Sequence, residues 1–214
     1  MDTARIAELL TPFLGSASGS RVTLSDEQLR QVSAYLDLLL RWNEKVGLTS
    51  VRGPENIVTR HFGESFFAAI RLLDPESQAA IVDVGSGAGF PGLPLKIYAP
   101  DVAPTLVESN RRKASFLKEA IRTMNLTGAT VFAGRAEECQ VTGDLVTLRA
   151  VERFECILPS AAELVAPGAR LALLIGSPRL DQAKTILCEF LWEAPVLIPE
   201  SSQRVILAGT KPGS

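Results

Sequence analysis

Histidine is nearly absent: His61 is the only one in 214 residues. That excludes a multi-histidine metal site, and a Ser-His-Asp triad would have to use His61 without any Gly-x-Ser-x-Gly elbow to support it. Cysteine is scarce as well. Cys139, Cys156 and Cys188 stand alone with no Cys-x-x-Cys, which argues against a disulfide framework or a zinc site and for a reducing compartment. No apolar run reaches the ~18 residues of a membrane span. The first ten residues carry no basic-then-apolar leader, so a cytoplasmic protein without membrane contact is expected. Positive charge is not in excess either. With 22 Lys+Arg against 24 Asp+Glu and a pI near 5.6, any contact with RNA has to come from a local patch. No Gly-Lys-Ser/Thr Walker loop is present, which disfavours a nucleoside triphosphatase.

At 46% hydrophobic, the chain can bury one α/β domain with an appendage. The appendage is expected at residues 1–75. Ile6, Leu9, Leu10 and Phe13 recur at helical spacing, and a Gly/Ser-rich break follows at 15–20. Ser25 and Gln28 then form a capping box for a second helix with the stripe Leu29, Val32, Leu36, Leu39 and Leu40, reaching about Trp42. Gly53-Pro54 opens a third, lined by Ile57, His61, Phe62, Phe66, Ala69, Ile70 and Leu73 and ended by Asp74-Pro75. Residues 76–214 alternate strand and helix, which calls for a mostly parallel sheet. Strands are expected at 81–84, 105–108, 129–133, 144–148 and 169–174, a last helix at 180–191, and a closing hairpin from 195–198 to 204–208.

The densest chemistry lies at residues 81–92. Gly85, Gly87, Gly89 and Gly92 demand a turn with φ > 0 and let a ligand approach without Cβ interference. Gly87-x-Gly89-x-x-Gly92 satisfies the dinucleotide fingerprint, while Gly85-x-Gly87-x-Gly89 led by Asp83 satisfies an adenosylmethionine loop. Asp83 can hold loop N–H groups or answer a sulfonium charge. Pro91 and Pro94 suit the opening of the next helix. Glu108, about twenty residues on at a strand end, is placed to accept from both ribose hydroxyls, with a solvated carboxylate as the plain alternative. Arg111, Arg112 and Lys113, with Lys118 and Arg122, are the one basic concentration, either a solvated helix face or an RNA-facing patch. Glu137, after the third strand, sits where an adenine amino group would lie, and Arg149 ends the fourth strand in the same crevice. His61, on an apolar stripe, reads more simply as structural than as catalytic.

The motifs Trp42-Asn43, Leu48-Thr49-Ser50, Arg60-His61-x-x-Glu64-Ser65, the Gly-Phe-Pro-Gly loop, Glu108-Ser109, Phe116-Leu117, Arg135-x-Glu137-Glu138 and Arg149-Ala150 occur in one order. In this the chain resembles the glucose-inhibited division protein B family (GidB, also RsmG). The resemblance implies a class I methyltransferase fold, Rossmann-like, with a seven-stranded sheet whose last strand is antiparallel. It also implies S-adenosylmethionine as cofactor, contacted by Gly85, Phe90, Ala136, Glu137 and Arg149. The reaction it implies is N7-methylation of a guanine in small-subunit ribosomal RNA. A monomer without metal is expected. Substrate-side candidates are Arg60, His61, Arg111, Arg112 and Lys113. Gly47, Glu64, Ile175 and residues 151–153 depart from the family's usual asparagine, aspartate, lysine and aromatic or small residues. A nicotinamide-dependent oxidoreductase and a non-catalytic RNA- or ribosome-binding relative of the fold are the competing readings.

Overall fold

Period-two alternation along the strands divides the apolar residues between two faces of one sheet in the computed structural model, which describes residues 1–15, 22–150 and 153–213. Five parallel strands run in the order β3 (Thr130–Phe132), β2 (Ala103–Val107), β1 (Ala80–Val84), β4 (Gly143–Arg149) and β5 (Val165–Gly176). Beside β5 lies β8 (Arg204–Thr210), antiparallel, with β6 (Leu191–Trp192) and β7 (Val196–Leu197) both paired to its outer edge. The expected seven-strand arrangement is thus present with its edge strand in two pieces. The break falls at Ala194-Pro195, where proline has no N–H to give the ladder.

Ile81, Leu106, Leu145, Ala172 and Leu174 point to the face covered by α1 (Thr3–Leu10), α2 (Asp26–Val46), α3 (Pro54–Ile57), α4 (Glu64–Leu72), α5 (Gly92–Tyr98) and α6 (Arg111–Thr123). Val82, Val84, Val146, Leu148 and Leu173 point to the other face, under α7 (Phe154–Glu163) and α8 (Leu180–Ile186). The capping box of α2 forms as expected: Ser25 Oγ accepts from the Gln28 N–H, and the Gln28 side chain accepts from the Ser25 N–H.

Three local expectations are revised. The helix expected to run to 191 stops at Ile186, and Leu191 instead pairs with Thr210, because Trp192 packs over Gly209, where a Cβ would lie 2.5 Å from the indole. The third N-terminal helix is not uniform: α3 and α4 are joined by a π-turn, Val58–Gly63. Gly63 permits this packing, since a Cβ there would fall 2.6 Å from the Phe13 ring. α7 was not foreseen as an element with bounds. The Gly/Ser-rich break lies, apart from Gly15, outside the described residues, as do Val151 and Glu152.

Candidate active site

Parallel strands share one carboxyl edge, so the loops after β1, β2, β4 and β5 meet. There they enclose a cavity of about 860 Å³, continuous with an annex of about 300 Å³ through the shared walls Gly85, Glu108, Ser109 and Ile157. The antiparallel β8 brings its beginning, not its end, to the same edge, opposite Gly176, and so adds Arg204 to the wall.

The glycine loop does two separate jobs. Gly85 and Gly87, both left-handed (φ +69° and +56°), line the cavity, and a Cβ on Gly87 would meet only the Gly85 carbonyl at 3.7 Å. Gly89 and Gly92 face inward, where a Cβ would strike the Tyr35 hydroxyl at 2.4 Å and Leu106 at 2.5 Å. Gly89 is therefore a packing residue, a correction to its expected place among the cofactor contacts. Asp83 needs the same correction. It is fully buried and absent from the cavity wall; one carboxylate oxygen accepts from Thr147 Oγ1 (2.7 Å), its cross-strand partner, and the other from the Gly92 N–H (3.3 Å). Burial pushes its carboxyl up to about 6, although Thr147, Gly92 and Arg149 favour the charged form. It braces the loop. Tyr35 does so too, donating its hydroxyl to Ala88 O and stacking on Phe90 at 5.3 Å.

Glu108 accepts from the Gly87 N–H (2.9 Å) with one oxygen and the Asn110 N–H (2.7 Å) with the other. Each oxygen keeps a further lone pair for a ligand. Ala136 and Glu137 line the annex, where Ser160 Oγ donates to Glu137 at 3.1 Å. Phe90 lines the main cavity, stacked on His61 at 4.9 Å.

Arg60, His61, Lys113 and Arg149 reach the cavity wall, whereas Arg111 and Arg112 stay on the exposed first turn of α6. The π-turn presents Arg60 and His61 together, a local irregularity of the kind found at functional sites. Arg149 donates to His61 Nδ1 (3.0 Å), to Arg60 O (2.7 Å) and to Glu64 (2.9 Å), and Glu64 takes Arg204 Nε on its other oxygen at 2.6 Å. Burial pulls the Arg149 pKa down while Glu64 holds it up, and guanidinium remains charged throughout. Burial, with the Arg149, Arg60 and Arg204 charges, lowers His61 to about 3, so its ring is neutral across the physiological range. Arginine can only donate, hence Nδ1 is the acceptor, Nε2 carries the hydrogen, and that hydrogen goes to Thr49 Oγ1 at 2.7 Å.

Glu64, Arg204, Arg179 and Thr49 were not among the expected site residues. Glu64 and Thr49 stand inside quoted motifs, but Arg204 lies 140 residues from Glu64, and no local pattern links them. Among the described residues no group of three or more His, Cys, Asp or Glu is arranged to hold a metal, and no helix is long and apolar enough to cross a membrane.

The family model described as rRNA small subunit methyltransferase G (GidB) matches residues 28–201. Ribosomal RNA small subunit methyltransferase G of Desulfitobacterium hafniense is 38% identical over 167 residues, 75% of this chain and 68% of that protein. The enzyme of the same name from Leuconostoc mesenteroides is 34% identical over 172 residues, 77% and 72% of the two chains. In fold, the chain is similar to P. horikoshii TYW2 solved in complex with MeSAdo, with a TM-score of 0.57 and 17% identity over 70% of this chain and 62% of that one.

Proposed function

The chain belongs to the rRNA small subunit methyltransferase G (GidB) family, and from that premise we propose that it methylates N7 of a guanine in small-subunit ribosomal RNA, using S-adenosylmethionine. The observation that carries this reading is the cradle itself. Two left-handed glycines without Cβ and the Glu108 carboxylate with spare lone pairs open onto a cavity whose far wall carries Arg60, Arg149 and Arg204. Gly85, Gly87, Glu108 and Phe90 would hold the cofactor, with Ala136 and Glu137 toward its adenine in the annex. S-adenosylmethionine supplies an electrophilic methyl group there.

Guanine N7 presents a lone pair in the neutral base, so the chain need hold no proton acceptor at that atom. His61 is unsuited to that role: Nδ1 is engaged by Arg149 and Nε2 already carries a hydrogen. The residues instead orient the base and exclude water, contributions that lower the barrier without proton transfer. Single-turnover methylation is expected to be flat between about pH 7.5 and 9. That window lies more than a unit above both His61, at about 3, and Asp83, at about 6, so the imidazole stays neutral and the carboxylate charged within it. A unit-slope rise abolished by His61→Ala would overturn the assignment of N7. Mass spectrometry of ribosomal RNA from a strain lacking the gene maps the nucleotide. Loss of one 7-methylguanine is the expected result.

RNA affinity falls to the basic residues of α6. Replacing Arg111, Arg112 and Lys113 by Ala should weaken RNA binding and flatten its salt dependence by about 0.7 per lost phosphate contact. Adenosylhomocysteine affinity should stay within a few fold. An unchanged salt slope would return these side chains to a merely solvated helix face.

A further inference from the structure

Thr49 is held more firmly than a loop hydroxyl needs to be. Its backbone N–H donates to Asn43 Oδ1 at 2.8 Å, and its Oγ1 receives His61 Nε2 at 2.7 Å and the Val51 N–H at 3.1 Å. A hydroxyl oxygen has two acceptor lone pairs and one hydrogen. Both lone pairs are filled here, because Arg149 fixes the His61 tautomer so that Nε2 must donate. The hydroxyl can then act only as a donor. Among the described residues it has no acceptor, and Thr49 lines the cavity that Gly85, Gly87 and Glu108 also line. Arg149 itself is less free to serve a ligand, since both hydrogens of one terminal nitrogen are spent on Arg60 O and Glu64.

We propose that Thr49 donates its hydroxyl hydrogen to O6 of the purine being methylated and so selects guanine over adenine, which carries an amino donor at that position. The inference rests on the guanine-N7 reading above and adds the residue that reads the base. Arg149 and His61 are positioning residues in this arrangement: they set the direction of a hydrogen bond they do not make. A site with a fixed donor rejects a base that offers another donor, because two hydrogens would face each other with neither paired.

The test uses the full-length protein and small-subunit ribosomal RNA ligated to carry either guanine or 2-aminopurine at the nucleotide the wild type methylates. 2-Aminopurine keeps N7 and lacks O6. Thr49→Val should slow single-turnover transfer to guanine at least about tenfold, the weight of one hydrogen bond. Thr49→Ser should stay within about twofold of wild type. On 2-aminopurine RNA, Thr49→Val should slow transfer about tenfold less than it does on guanine RNA, since the bond to O6 is already missing and only the loss of the contacts to His61 and Val51 remains. The same four-way comparison in RNA affinity, with S-adenosylhomocysteine bound, gives a second reading that does not depend on the intrinsic reactivity of either base. Equal slowing of both RNAs by Thr49→Val, or no slowing on guanine, would overturn the proposal while leaving the reaction assignment standing. A wild-type product other than 7-methylguanine would overturn the reaction assignment, and this inference with it.

Discussion

Glu64→Gln should destabilise the protein by about 3–5 kcal/mol, because it removes the sole negative member of a buried charge cluster while leaving its shape intact. Glu64 is 2% exposed and bridges Arg149 at 2.9 Å and Arg204 at 2.6 Å. With the carboxylate in place the three charges sum to +1; with an amide they sum to +2 in a partly desolvated pocket. The cost is therefore not that of two lost hydrogen bonds but of two guanidinium groups left without a counter-charge. Thermal unfolding should fall by roughly 10 °C. Glu64→Asp, which restores the residue usual in the family, keeps the charge but is one methylene too short to reach both arginines as they stand, so a smaller loss is expected. A Glu64→Gln protein that melts within about 1 kcal/mol of wild type would show that water reaches the cluster and screens it.

Gly89→Ala should abolish measurable binding of S-adenosylhomocysteine in calorimetry, although Gly89 does not line the cavity. The added methyl would sit 2.4 Å from the Tyr35 hydroxyl and 2.6 Å from Leu93, on a residue whose φ is +88°. Tyr35 is fully buried and holds Ala88 O, so the clash can be relieved only by moving the loop, which displaces Gly87 and Phe90 from the wall. Gly87→Ala is the control. It incurs the left-handed strain of about 1 kcal/mol but meets no atom nearer than 3.7 Å, so the fold should tolerate it. If Gly89→Ala binds within a few fold of wild type, the loop is softer than its packing implies.

The contrast between Gly87 and Gly89 marks how far the site could be read from residues alone. Glycine spacing announces a turn that a ligand can approach, yet whether each missing Cβ makes room for a ligand or for Tyr35 depends on a helix fifty residues earlier. Asp83 is similar: its position before the turn allowed either a hold on loop N–H groups or contact with the ligand, and its burial between Thr147 and Gly92 selects the loop. The alternation of strand and helix, the Ser25 cap and the closing hairpin were legible because each rests on local periodicity or turn chemistry. The π-turn was not, since nothing within residues 58–63 announces it and the Phe13 ring that packs against Gly63 lies about fifty residues earlier. Nor was the charge cluster. Glu64, Arg149 and Arg204 come from a helix and two strands and meet only once the sheet has formed.

The reversed direction of β8 has a practical outcome for assembly with a partner as large as a ribosomal subunit. Arg204 begins this seven-residue strand at the cavity edge, and Thr210 ends it about 20 Å away on the opposite edge. Lys211 then fastens the chain there by donating to Ala162 O and Val165 O, both at 2.9 Å. Whatever is joined beyond Lys211, whether a fluorescent reporter or an affinity handle for surface coupling, departs from the edge opposite the cavity.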